Sequence, residues 1–378
     1  MSEMNASVAG VCDLLDKLSK TDTAKVERAA REVEMAKIHA IEPPPELITA
    51  SVPDYIDTGI LFQGNREVPV KEVADAVIGD EVVYLYGPSG SGKGTLVSHL
   101  VDLFNNPVRE HNRKVFARNA AQVKAGKQAE DLEPYKDVPY VLDQLNGSPE
   151  TRVAELIGDV DLAYDGHGNR VVVERLGKAL NAAVEGHVFF FDECDVVPAG
   201  VNAVCHPLFD RKIRKLQYWI NGCKSYEKHP RFRSILAGNS IGFGENVAEY
   251  AHTQIQSRAL MTRVSYMVEV RYMVPDSEAK LLKARVPEVP LTIIKKMVAA
   301  ANNIRALYEG RSIDLIVSHR ETESWCREVA RGIKRGFSGT CDSDLWSKVV
   351  VPAAWPTFVG KTADKGTAEA VQTELAWR

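Results

Sequence analysis

Val82-Val83-Tyr84-Leu85-Tyr86 runs straight into Gly87-Pro88-Ser89-Gly90-Ser91-Gly92-Lys93-Gly94-Thr95, and the reading of the whole chain turns on this stretch. A short apolar run predicts a strand, and the residues from 95 to 104 predict the helix that the loop opens. Glycines let the backbone wrap closely around an anion with successive N–H groups turned inward. The helix N-terminus adds its dipole, and Lys93 adds a positive charge that reaches β- and γ-phosphates. The GxxxxGK core thus stands in the strand–loop–helix context it requires, which predicts binding of a nucleotide phosphate. One position departs from the pattern. Gly94 follows the lysine where Ser or Thr would ligate Mg²⁺, and Thr95 comes one step later. Thr95 still suits a phosphate oxygen; a water molecule is the alternative metal ligand.

Outward from the loop, four more apolar runs recur, at 139–142, 187–191, 232–237 and 264–270. Runs apolar on both faces suit parallel strands covered by helices. The expected fold is α/β, a doubly wound parallel five-stranded sheet. The run Val188-Phe189-Phe190-Phe191 ends in Asp192 and Glu193, and sites in such sheets form at carboxyl ends of strands. Asp192 is the expected Mg²⁺ ligand. Glu193 is the expected base that polarises a water against the γ-phosphate. Alone, such an acidic end is equally a solvated strand terminus; the phosphate loop upstream favours the catalytic reading.

The remainder bounds the function. Fifty-one acidic against 47 basic residues give a net charge of −4, which argues against coating nucleic acid by bulk charge. No apolar run approaches a membrane span, and no signal peptide is read at the start, so a cytoplasmic protein is expected. Six widely spaced cysteines form no zinc or disulfide pattern and are expected as thiols. Residues 1–50 read as an N-terminal helical segment, amphipathic over 11–39, and a linker broken by Pro43-Pro44-Pro45. Residues 51–275 read as the nucleotide-binding domain, with a basic insertion at 107–135 and a β-hairpin insert at 160–174. Residues 276–338 read as a small helical lid. Residues 339–378 are a less regular tail, broken by Pro352 and Pro356.

Several motifs resemble AAA+ ATPases of the MoxR group, most nearly the CobS-like ATPase subunits of cobaltochelatases. They are Arg152-Val153-Ala154-Glu155-Leu156-Ile157-Gly158 with the hairpin after it, Phe191-Asp192-Glu193-Cys194-Asp195, Ala237-Gly238-Asn239-Ser240-Ile241-Gly242-Phe243-Gly244, and the run from Thr253-Gln254 to Arg263. The resemblance implies a Walker A loop over residues 87–95, a Walker B end at Asp192 and Glu193, and ATP with Mg²⁺ as ligands. It implies sensor 1 at Asn239 and an arginine finger at Arg263, with Arg258 the competing candidate. Ser318-His319-Arg320, with Trp325 beyond, resembles the lid motif carrying sensor 2, which implies that Arg320 contacts the γ-phosphate.

The same resemblance implies a homo-oligomeric ring, a hexamer, that remodels a protein partner through the hairpin. Tyr164 and His167 are the suspected contacts there. A surface hairpin without substrate contact is the plainer alternative. Basic residues at 212–229 suit contact with nucleic acid or an acidic partner, with a solvated face the plainer alternative; those in the insertion (Arg109, Arg113, Lys114, Arg118, Lys124, Lys127) lack aromatic interleaving, so nucleic-acid contact is weakly supported there, and no membrane contact is expected. Three other functions compete. They are a true cobaltochelatase subunit, a nucleotide kinase suggested by Gly92-Lys93-Gly94-Thr95, and a non-hydrolysing scaffold gated by nucleotide.

Overall fold

The computed structural model describes residues 43, 45–50, 61–127, 132–164, 166–241, 256–336 and 341–376. The amphipathic stretch 11–39, Asp165, Gly242-Phe243-Gly244 and Thr253-Gln254 lie outside these residues. Two compact units divide the chain: residues to Pro53 with Asp102–Tyr140, and Asp54–Val101 with Val141–Arg378.

The larger unit contains the sheet. Its strands begin with β1 (Leu61–Gln63), β2 (Arg66–Val68), β3 (Val83–Tyr86) and β4 (Leu142–Asn146). A hairpin follows, β5 (Gly158–Tyr164) and β6 (Arg170–Leu176), then β7 (Val188–Asp192). A second hairpin, β8 (Lys215–Trp219) and β9 (Cys223–Glu227), precedes β10 (Arg233–Gly238) and β11 (Tyr266–Val270). The order in the main sheet is β2-β1-β11-β3-β10-β7-β4. The five strands from β11 to β4 are mutually parallel, as expected. Two short antiparallel strands, β1 and β2, extend the sheet to seven and correct the expected total.

Burial explains why the central strands were apolar on both faces. Phe189 and Phe191 pack on one side with Tyr84, Leu236 and Leu180. Phe190, of opposite parity, points to the other face and is fully buried. Strand β4 sits at the edge with a half-exposed, alternating sequence, and it begins where the predicted run 139–142 ends.

The helices of this unit include α1 (Val70–Ile78), the start of α2 (Lys93–Lys124) and α3 (Lys178–Glu185). The lid is built from α4 (Pro275–Arg285), α5 (Leu291–Glu309) and α6 (His319–Lys334), followed by α7 (Val351–Thr357) and α8 (Lys365–Glu374). Residues after 339 join the same core: Trp346, Phe358, Val371 and Leu375 are buried with Trp325. Trp325 meets Phe358 and Trp346 edge-on, and its indole N–H donates to Val350 O at 2.7 Å.

In the smaller unit, α2 extends far past the predicted end at 104, through Pro107 and into the basic stretch. Ala, Arg, Lys and Gln there are good helix formers, and they carry the helix through the proline. Asn105, Asn112 and Asn119 recur every seventh residue, so they share one face. Each amide makes a reciprocal pair of hydrogen bonds with the backbone of one residue in a facing segment: Tyr140, Lys136 and Glu133 respectively, at 2.7–3.1 Å. The basic residues are also engaged. Arg109 pairs with buried Asp102 at 2.8 Å, and Arg118 with Glu133 at 2.7 Å.

Candidate nucleotide site

The phosphate loop leaves β3 at Gly87 and turns through Gly90 and Gly92, whose φ angles of +72° and +96° fall where side chains are strained. A side chain at Gly90 would also collide with Ser318 at the start of α6, so loop and lid touch here. Ser91 is 5% exposed, and its hydroxyl is buried without a hydrogen-bond partner among the described residues. An unsatisfied hydroxyl inside a glycine cradle fits an anion oxygen.

Lys93, the first residue of α2, is 8% exposed and donates to Gly87 O at 2.8 Å, Pro88 O at 3.2 Å and Asn239 Oδ1 at 3.0 Å. Burial lowers its pKa to about 8, against the opposing pull of Asp192, Asp195 and Glu193. Asn239 follows β10, which lies between β3 and β7, so the sheet order sets it between the loop and the acidic end. Asp192 closes β7, and burial raises its pKa against the charge of Lys93. Glu193 is raised too, by burial first and then by Asp192 and Asp195. Its backbone is left-handed, with φ of +52°, a costly state for a non-glycine residue that often marks functional positions.

Arg320 is exposed at the first turn of α6, close enough for its charge to act on Lys93, Asp192 and Glu193. Ser318 and Glu321 form a capping box that fixes this helix start. Behind it, buried Arg305 pairs with Glu278 at 2.8 Å and donates to Val317 O at 2.6 Å. Burial alone would raise Glu278, but hydrogen bonds from Arg305 and His319 hold it at about 2. The Arg305 guanidinium lies 4.5 Å over the Tyr272 ring, whose hydroxyl donates to Ser89 O of the phosphate loop at 3.0 Å.

The structure therefore gathers the loop, Lys93, Asp192, Glu193, Asn239 and Arg320. It does not bring the two arginine-finger candidates to them. Arg258 is exposed in the helical turn Arg258–Met261, which Ser257 caps. Arg263 is half-buried and donates to Ala259 O at 2.6 Å. Thr95 is exposed. A side chain at Gly94 would meet only the Phe190 ring, at 3.8 Å, so packing does not explain the missing hydroxyl there.

Two positions gained no role from sequence. Asp195 is wholly buried, and its Oδ2 accepts from Asn239 N at 2.8 Å, Ser240 N at 3.0 Å and Ser240 Oγ at 3.1 Å. A third acid so close behind Glu193 was the available signal. Gln256 is 3% exposed and had no signal, since a buried polar residue breaks no periodicity.

Among the described residues, no three His, Cys, Asp or Glu side chains cluster as a ready-made metal site. Asp192 at the strand end fits a Mg²⁺ whose other ligands are phosphate oxygens and water. Away from this site, Leu162 and Tyr164 on β5 are 65% and 67% exposed, and Trp219 at the second hairpin's tip is 82% exposed. His167 is exposed as well. No helix among the described residues is long and apolar enough to cross a membrane. The five cysteines described are free.

This parallel sheet, with a phosphate loop after β3 and acids at the carboxyl end of β7, defines a P-loop NTPase fold. The sequence resemblance to CobS-like AAA+ ATPases also finds a counterpart. Part of the chain is 26% identical to the aerobic cobaltochelatase subunit CobS of a Sinorhizobium species, over 30% of this chain and 37% of that subunit. No family model matches the chain. Among solved structures, a mutant RuvB of Thermotoga maritima aligns over 75% of this chain and 66% of its own, with 10% identity and a TM-score of 0.44. NtrX of Brucella abortus aligns over 92% and 64%, with 12% identity and a TM-score of 0.40.

Proposed function

We propose that this chain is a Mg-ATP-hydrolysing AAA+ motor, acting as a ring with nucleotide held between neighbouring subunits and coupled to remodelling of a protein partner. The observation that carries it is the hydrogen bond from Lys93 to Asn239, which joins the phosphate loop to the strand beside the acidic end. In this reading the loop amides and Lys93 hold the β- and γ-phosphates. Asp192 and Thr95 would hold the metal, Thr95 directly or through water. A bound Mg²⁺ would neutralise phosphate charge and orient the transferred group. Glu193 holds the attacking water and accepts its proton, and its raised pKa suits that task. Asn239 fixes the water, and Arg320 reads the γ-phosphate from the lid.

Arg263 stands apart from its own site, as a finger serving the next subunit must. The exposed apolar hairpin at 158–176 is then the surface offered to the partner. A cobaltochelatase role is the second reading, favoured by the partial similarity to CobS. Under it, the partners are the subunits that hold the corrinoid and cobalt.

The test is phosphate release from Mg-ATP over a range of protein concentrations, with nucleoside monophosphates offered as acceptors in parallel. Free phosphate should appear, with specific activity rising with concentration. Glu193→Gln should abolish it, and Arg263→Ala should cost about 1000-fold. Activity independent of concentration and of Arg263 would overturn the shared site. Phosphoryl transfer to an acceptor would make the chain a nucleotide kinase.

A further inference from the structure

Behind the acidic strand end lies a pair of buried, hydrogen-bonded amides, Asn202 and Gln256. Gln256 Nε2 donates to Asp195 O at 3.2 Å and Val197 O at 3.3 Å. Its Oε1 accepts from Asn202 Nδ2 at 2.8 Å, and that amide also donates to Cys194 O at 2.9 Å. One side chain thus grips the backbone of the segment that follows Glu193. None of these bonds reaches the Glu193 carboxylate or the Asn239 amide. On the other side, Gln256 is joined directly to Ser257, whose hydroxyl accepts from Leu260 N at 3.1 Å and caps the turn Arg258–Met261. Arg263 bonds back into that same turn through Ala259 O. Burying an amide is costly unless its hydrogen bonds are kept, and an apolar side chain would fill this space without that demand. What the amide adds is register between two segments.

We propose that Gln256 is a positioning residue for the neighbouring subunit's reaction: it anchors the arginine-bearing turn to the acidic loop of its own chain. The arginine presented across the interface is thereby aimed by the state of that loop. This rests on the shared-site reading above.

The test measures phosphate release from mixed assemblies of impaired variants. Gln256→Met matches the side chain in size and removes the amide. Alone it should lose about tenfold or more in kcat while fluorescent ATP binds within about twofold of the unaltered protein. A control mixture of Glu193→Gln and Arg263→Ala subunits should regain activity, because each supplies what the other lacks. If the control stays silent, the shared-site reading itself fails, and the proposal with it. With the control active, a mixture of Glu193→Gln and Gln256→Met should also regain activity, since the defect lies in what Gln256→Met presents to its neighbour. A silent test mixture beside an active control would overturn the proposal and assign Gln256 to its own site. Full activity of Gln256→Met alone would overturn it as well. Should Gln256→Met fail to fold, Gln256→Asn keeps the amide, shortens its reach, and is read in the same mixtures.

Discussion

Lys93 is buried against its own loop, and its pKa of about 8 puts its charge within reach of ordinary buffers. A triphosphate favours the charged form. Below about pH 8 the free protein already carries that charge; above it, binding must take up a proton. ATP affinity is therefore expected to weaken above pH 8, by up to about tenfold per pH unit. Titrating a fluorescent ATP analogue between pH 7 and 10 checks this, with Lys93→Arg as the variant whose affinity stays level. Equal affinity of the unaltered protein across the range would remove Lys93 from the contact. At this scale the sequence was legible wherever chemistry follows a motif: the loop, Asp192, Glu193 and Asn239 come together. Asp195 and Gln256 act through backbone groups distant in sequence, which no spacing rule encodes.

The asparagines of α2 show how side chain to backbone pairing can set one element against a facing segment. Asn112 Nδ2 donates to both Lys136 O and Leu47 O, and its Oδ1 accepts from Lys136 N. Replacing it with Leu would leave these backbone groups without partners, at about 1–3 kcal/mol each where buried. Asn112→Leu is thus expected to destabilise the unit by several kcal/mol in chemical denaturation. A loss under about 0.5 kcal/mol, the usual range for surface changes, would make the ladder incidental. Within the basic run, Arg109 is buried against Asp102 and Arg118 pairs with Glu133. Element by element, the strands of the sheet centre were legible from their apolar runs. Three-residue strands such as β1 and β2 are too short to show a period, and edge strand β4 has too polar a sequence. The β8–β9 hairpin was legible but unread, because Asn221-Gly222 between its strands is a strong turn signal.

Across the whole molecule, the tail is a structural part of the lid. Pro352 follows directly on a π-helical turn, Trp346–Val350, and Pro356 lies within α7, so prolines that looked like breaks sit inside a helical run. Truncation after residue 338 would strip Trp346, Phe358, Val371 and Leu375 from around Trp325. The lid is then expected to lose its fixed packing, read as a red shift of Trp325 emission and a lower melting temperature. An unchanged melting temperature would mark the tail as an appendage.

The left-handed backbone at Glu193 has a genetic consequence. Glycine and asparagine suit that conformation better than glutamate, so substitutions there that destroy the base should relieve strain by about 1 kcal/mol and fold well. In an assembly with interlocking sites, such subunits would enter beside normal ones and stall their neighbours. Alleles at this codon should therefore be dominant, whereas truncations that unfold the lid should be recessive.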